Sequence, residues 1–118
     1  MSFTAASLLA YLFGAALTLN GTRGMVDPSA YSKDFGLALN PSHVPSICGR
    51  ELTLGVITLT LNYLENRQAV GTVMMCAAIT GGMDAWTCWK SGNKDAARRH
   101  GLACPVVVAV GVARLMGW

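Results

Sequence analysis

The chain has 118 residues, of which 53% are hydrophobic and 13% are charged, with a net charge of +3. A soluble domain of this size exposes much of its surface and usually carries about 25% charged residues. The composition and the mean hydropathy of +0.42 therefore favour one integral membrane domain over residues 1–118. No basic stripe with interleaved aromatic residues is present, so nucleic acid is not an expected partner. The four cysteines lack the spacing of metal ligands, and we expect neither a metal nor another cofactor.

Four apolar segments are long enough to form membrane helices. Crossing the hydrocarbon takes about 17–25 residues. Because the first segment lacks the basic residues of a secretory signal, we expect it to remain as a helix. The connections 65–67 and 91–95 are short and predict antiparallel neighbours. The sequence therefore predicts an all-α, integral membrane, antiparallel four-helix bundle, with helices at about 3–19, 46–64, 68–89 and 96–116.

The first connection, residues 21–45, is long and contains the stretch DPSAYSKDFG. Asp27 is a suitable N-cap, Pro28 suits the first helical position and Gly36 suits a helix end. We therefore expect a short surface helix in this loop. Long loops in compact domains often act as lids over a site.

Basic residues are unevenly distributed between the two predicted membrane faces. The face formed by loops 21–45 and 91–95 carries six of them, and the opposite face carries Arg67 and Arg114. The positive-inside rule then places both loops in the cytosol and both termini outside or in a lumen, and we expect the endoplasmic reticulum membrane. The six are Arg23, Lys33, Lys90, Lys94, Arg98 and Arg99.

Four ionisable residues fall near one membrane face in the predicted topology. Arg50 and Glu51 begin the second helix, Asp84 lies about two turns from the end of the third, and His100 lies in the first turns of the fourth. With a rise of 1.5 Å per residue, all lie within roughly 10 Å of that face. Acids deep in a membrane normally face a partner or a wet cavity. The alternative is structural: an Asp84–Arg50 bridge, with the other two residues at the lipid headgroups.

This set suits acid–base chemistry. One carboxylate accepts a proton from water, the arginine orients it, and a second acid protonates the departing oxygen. Glu51, next to Arg50, is the expected base, and the deeper Asp84 is the expected acid. If Arg50 turns toward Asp84, these two roles exchange. His100 is able to serve in either role.

Four further residues are candidates for substrate binding. Asn20 and Arg23 lie near the same end of the first helix, and Met83 and Trp86 flank the aspartate of the third. Methionine can line an adaptable pocket, although it also fills cores. Tryptophan near a helix end is also typical of an anchor at the membrane interface.

Several short motifs carry a resemblance to a known family. A loop with a proline and an FG pair, then GRELTLG, then GMDAWTCWKSG, then RRHGLA resembles the small fungal four-helix membrane proteins catalogued as a domain of unknown function. Those proteins are similar to membrane proteins of fungal polyketide gene clusters, as in the aurovertin and citreoviridin pathways, that open polyene epoxides and direct ether-ring formation. The matching positions are Gly49-Arg50-Glu51, Asp84 and His100-Gly101.

The resemblance implies a membrane enzyme of fungal secondary metabolism. Together with the polar cluster, it predicts an epoxide hydrolase or cyclase acting on a lipophilic polyketide or terpenoid within the lipid bilayer. An isomerase or cyclase that uses the same residues without water is one alternative. A non-catalytic assembly or carrier protein is another, and a transporter would require a homo-oligomer. A cavity lined by the four ionisable residues favours an enzyme, and a filled core favours a structural protein.

Overall fold

The computed structural model describes residues 3–118, and all regular secondary structure in that range is helical. The four long helices coincide with the four predicted segments, and α1 extends furthest beyond its prediction. Residues 21–26 were predicted to begin the loop but continue α1, because two glycines there pack closely against α3 instead of ending the helix. The helices are α1 (Ala5–Val26), α2 (Pro28–Phe35), α3 (Val44–Tyr63), α4 (Arg67–Lys90) and α5 (Lys94–Leu115).

Three of the long helices begin at capped residues. The side chains of Thr4, Asn66 and Asn93 each accept a hydrogen bond from the backbone amide three residues later. Such caps satisfy amides that have no partner within the helix. They also allow the connections 64–66 and 91–93 to reverse the chain within three residues.

The short helix predicted in the first connection is confirmed as α2. Asp27 caps it through a hydrogen bond of 3.0 Å from the Ala30 amide, and Gly36 ends it in the left-handed conformation with φ of 92°. One face of α2 is not at the surface, because Tyr31 and Phe35 are buried. They pack on residues from α3, α4 and α5, and α2 therefore closes one end of the bundle. These residues are Val44, Cys48, Cys88, Ala96 and Ala97.

The long helices form two tightly packed pairs, α1 with α3 and α4 with α5. A Cβ on Gly21 would lie 2.6 Å from the Leu52 amide nitrogen, and one on Gly71 would lie 2.7 Å from the Gly111 carbonyl oxygen. Small residues of this kind allow helix backbones to approach closely. The two pairs contact each other less extensively, which leaves space between them.

Three helices, α1, α3 and α5, are long and apolar enough to cross a membrane. The 24-residue α4 is long enough but is more polar, with charged residues at both ends and Asp84 within it. Large apolar side chains also lie on the outer surface of the bundle; Leu12, for example, is 58% exposed and Ile79 is 70% exposed. These features indicate a membrane protein.

Candidate functional site

The four residues predicted to be catalytic line one cavity of about 170 Å³ between the two helix pairs. Arg50 and Glu51 come from α3, Asp84 from α4 and His100 from α5. Most of the remaining wall is apolar, so the polar groups lie at one end of a hydrophobic chamber. The apolar part includes Phe13, Leu17, Leu54, Ala77, Ala103 and Val107.

Arg50 and Asp84 form an ion pair across the junction of α3 and α4. One guanidinium nitrogen, Nη2, lies 2.9 Å from Oδ2 and 3.3 Å from Oδ1 of the carboxylate. The Asp84 side chain is 17% exposed and that of Arg50 is 38% exposed. Arg50 Nε is buried and has no hydrogen-bond partner within residues 3–118. The pair thus holds a carboxylate at the cavity wall, and Arg50 retains an unused donor.

Glu51 occupies a different environment on the same turn of α3. Its side chain is buried, and its Oε2 accepts a hydrogen bond of 2.8 Å from Asn20 Nδ2 on α1. It makes no salt bridge in the described part of the chain. A buried carboxyl without a paired cation is accommodated best as the neutral acid. Because Arg50 pairs with Asp84, the geometry meets the condition under which we expected the two roles to exchange.

His100 connects the cavity to α2. Its Nε2 lies 3.1 Å from the Phe35 carbonyl oxygen, and the two rings are 4.7 Å apart between centroids. The neighbouring Arg99 donates a hydrogen bond of 3.2 Å to the Asp34 carbonyl oxygen. These contacts hold the end of α2 against α5, beside the polar end of the cavity.

Tyr31 lies beside the site, and the sequence analysis did not identify it. It is 2% exposed, and its hydroxyl has no hydrogen-bond partner in the part of the chain that the structure describes. Burial, and then the negative charge of the nearby Glu51, raise the pKa of Tyr31 well above its ordinary value. Its spacing of four residues from Phe35 was an available signal, since the two side chains share one helix face.

The four candidate substrate-binding residues have different positions. Asn20 reaches the site through its hydrogen bond to Glu51. Arg23 forms an exposed ion pair with Asp34, with 2.6 Å between Nη1 and Oδ2. Met83 and Trp86 are 59% and 57% exposed and lie outside the cavity wall. The structure thus brings one of the four, Asn20, into contact with the predicted catalytic residues.

A second polar cluster lies at the opposite end of the bundle. Arg114 is 2% exposed and donates hydrogen bonds to Asn62 Oδ1 and to the Trp118 carbonyl oxygen, at 2.8 and 2.7 Å. Asn62 in turn donates to the Ser7 carbonyl oxygen at 3.0 Å. The adjoining cleft is about 20 Å³, enough for about one water molecule. This cluster ties α1, α3 and α5 together and leaves no room for an organic ligand.

The residues at the site do not form a metal centre. Across residues 3–118, no group of three or more His, Cys, Asp or Glu side chains is arranged to hold a metal ion. Cys48 and Cys88 are buried and free, in the apolar cluster beneath α2. The cavity wall itself offers two carboxyl groups, two guanidinium groups, an imidazole, a hydroxyl and a thiol, which belong to Glu51, Asp84, Arg50, Arg99, His100, Thr80 and Cys104.

Comparison with known proteins identifies one family. No curated protein and no solved structure matches the chain. The family model described as "Domain of unknown function (DUF4267)" matches residues 14–114, a range that contains every polar residue of the cavity. Because this match covers most of its length, the chain belongs to the DUF4267 family.

Proposed function

We propose that this protein is a membrane-embedded epoxide hydrolase or cyclase that acts on a lipophilic polyketide or terpenoid. The observation that carries the proposal is the pair of carboxyl groups in contrasting environments on one cavity. Asp84 is paired with Arg50, whereas Glu51 is buried and accepts a hydrogen bond from the Asn20 side-chain amide. Carboxyl groups whose environments differ in this way are suited to separate base and acid roles.

In the proposed reaction, Asp84 is the base and Glu51 is the acid. The Asp84 carboxylate takes a proton from a water molecule as the water oxygen bonds to one epoxide carbon. The carbon–oxygen bond at that carbon breaks, and its electron pair goes to the epoxide oxygen, which takes the proton of Glu51. The product is a vicinal diol, and a proton moves from Asp84 back to Glu51 through water. When a hydroxyl group of the substrate replaces water, the same steps close a cyclic ether.

Arg50 and His100 have supporting roles in this scheme. Arg50 pairs with the Asp84 carboxylate and orients it. His100 lines the same wall and is able to relay the returning proton between the carboxyl groups. An isomerisation or cyclisation without water would use the same groups. No step requires a cofactor.

The proposed setting is a four-span bundle in which α4 is the fourth membrane helix. An aspartate within such a helix is costly unless a partner neutralises it, and Arg50 is that partner. The basic residues near the α2 end favour cytosolic exposure of that end, and we propose the endoplasmic reticulum as the membrane. A lipophilic epoxide would then reach the cavity from the bilayer.

The test is turnover of lipophilic epoxides by purified protein in nanodiscs, with incorporation of ¹⁸O from labelled water as the readout. We expect the wild-type protein to form labelled diols or unlabelled cyclic ethers, and we expect Asp84→Asn and Glu51→Gln to lose about 100-fold or more in rate. Met83→Leu is the matched control, because it lies one residue from Asp84 but outside the cavity. Absence of product with a broad epoxide panel, or full activity in both carboxyl variants, would refute the proposal.

One observation favours a second candidate, a non-catalytic assembly or carrier protein. The Arg50–Asp84 ion pair joins the two helix pairs, which is also what a purely structural bridge would do. This candidate predicts that Asp84→Asn lowers stability and that neither protein turns over any epoxide. The non-catalytic candidate assigns no role to the cavity that Arg50 and Asp84 line.

A further inference from the structure

A second, entirely apolar space adjoins the reaction cavity. This groove has a volume of about 300 Å³ and lies between α1 and α5, with one methionine from α4. Phe13, Ala103 and Val107 line both the cavity and the groove, so the two spaces lie side by side at these side chains. The rest of the groove wall consists of Leu9, Leu12, Met74, Val106 and Val110.

The two adjoining spaces differ strongly in polarity. The ion pair of Arg50 and Asp84, together with Glu51, lies in the cavity, whereas every residue that lines the groove is apolar. From Ala103 to Val110 the groove follows eight residues of α5, which corresponds to about 10 Å along the helix axis. The site therefore combines a polar end with an extended apolar arm.

The groove is open on its outer side. Leu9, Leu12 and Val106 are 42%, 58% and 56% exposed and form its outer wall. Both helices that border it, α1 and α5, are long and apolar enough to cross a membrane. With these helices in a bilayer, the open side faces hydrocarbon, and a lipid-dissolved chain is able to enter sideways without meeting water.

We infer that the substrate is an elongated amphiphile that carries its reactive oxygen near one end and lays an apolar chain in the groove along α1 and α5. This inference rests on the proposed function for the chemistry at the polar end and adds the shape of the substrate. A compact molecule would leave the groove unfilled. A long chain would fill it and would hold the reactive carbon beside Asp84 and Glu51.

The test compares terminal epoxides of increasing chain length, from 1,2-epoxybutane to 1,2-epoxydodecane, in nanodiscs. Longer chains also partition more strongly into the bilayer, so the decisive comparison is between proteins. Val106→Trp fills the groove away from the reaction cavity, and we expect it to lower the kcat/KM ratio of epoxydecane to epoxybutane roughly ten-fold. Val108→Trp is the matched control, because Val108 is 36% exposed on the same helix and lies outside both spaces. We expect its ratio to match that of the wild-type protein.

A chain-binding readout separates this inference from the proposed function. Decanol with a terminal diazirine is photolysed with the wild-type protein, and the labelled residues are mapped by mass spectrometry. We expect labels within residues 103–110, and we expect epoxydecane to compete with this labelling.

If short epoxides are opened but Val106→Trp and Val108→Trp have equal kcat/KM ratios of epoxydecane to epoxybutane, the inference is overturned and the proposed function stands. If no epoxide is opened but the label is competed, chain binding stands and the hydrolase falls. Labelling around the whole bundle without competition means that the groove holds ordinary lipid only, and this overturns the inference.

Discussion

A double-mutant cycle on Arg50 and Asp84 distinguishes a catalytic ion pair from a purely structural one. The variants are Arg50→Gln, Asp84→Asn and the double variant. Exposed ion pairs contribute about 0–1 kcal/mol, and breaking a fully buried pair costs about 3–5 kcal/mol. With side chains 38% and 17% exposed, this pair lies between these limits. We therefore expect each single variant to lose about 2 kcal/mol of unfolding free energy and the coupling to be about 1–2 kcal/mol.

Activity is expected to fall much further than stability. A domain with about 5 kcal/mol of stability keeps about 3 kcal/mol after such a loss, so roughly 99% of it remains folded. Removing a general base costs about 100-fold or more in rate. We therefore expect both single variants and the double variant to stay folded in detergent at 25 °C while epoxide turnover nearly disappears. The assays are denaturant-induced unfolding and turnover on the same preparations.

Two outcomes would contradict this reasoning. Turnover above one tenth of the wild-type rate in folded Asp84→Asn would exclude Asp84 as the base. Recovery of both stability and turnover in the double variant would show that the pair only needs electrical neutrality, as a structural bridge does. Glu51→Gln is the control for stability. It replaces the carboxyl group with a neutral amide of the same shape, which keeps an oxygen to accept the hydrogen bond from Asn20. We expect its stability to stay within about 1 kcal/mol of the wild-type value.

Three further predictions concern the packing and the surroundings of the site. Gly21→Leu is expected to cost about 3 kcal/mol or more in thermal unfolding, since its Cβ would meet the α3 backbone at 2.6 Å, whereas Gly82→Leu, in open space, is expected to leave stability unchanged or raised. Burial raises the pKa of Tyr31 in the folded chain, so its protonated form stabilises the fold below about pH 10, and this contribution is lost as the pH rises further. Alkaline unfolding should therefore begin at a higher pH in Tyr31→Phe, and identical pH profiles would contradict this cause. Asn20→Ala removes the hydrogen bond to the Glu51 carboxyl and is expected to lower epoxide turnover about ten-fold with less than about 1.5 kcal/mol lost in unfolding, and equal turnover would show that this bond does not position Glu51.

The number and approximate positions of the helices could be predicted because each long helix is a continuous apolar run. The short helix α2 could be predicted because Asp27, Pro28 and Gly36 stand at the positions that begin and end helices. The end of α1 could not be predicted, because Gly21 and Gly24 are typical of a loop when the sequence alone is considered. Their function as contact points appears only when α3 and Tyr31 lie against them.

Loop length also does not predict which helices pack most closely. The short connection 64–66 predicts that α3 and α4 are neighbours, and they do touch. The closest packing, however, joins α1 to α3 and α4 to α5. What decides this is where small residues face one another, as Gly14 and Gly55 do between α1 and α3. The cavity exists because the two close pairs meet only partly, and a property of this kind depends on all four helices at once.

The proposed division of roles between the two carboxyl groups rests on helix geometry. Consecutive residues on an α-helix point about 100° apart, and they do not face each other. Arg50 and Glu51 are therefore poorly placed to pair, although they are adjacent in the sequence. Arg50 instead reaches Asp84 on α4, and Glu51 reaches Asn20 on α1. The helix thus directs the cation away from the neighbouring acid, which leaves one carboxylate paired and the other carboxyl buried without a cation. The expectation of Glu51 as base rested on its adjacency to Arg50 and carried the condition that the roles exchange if Arg50 turns toward Asp84; because Arg50 does pair with Asp84, the proposed mechanism uses the exchanged roles.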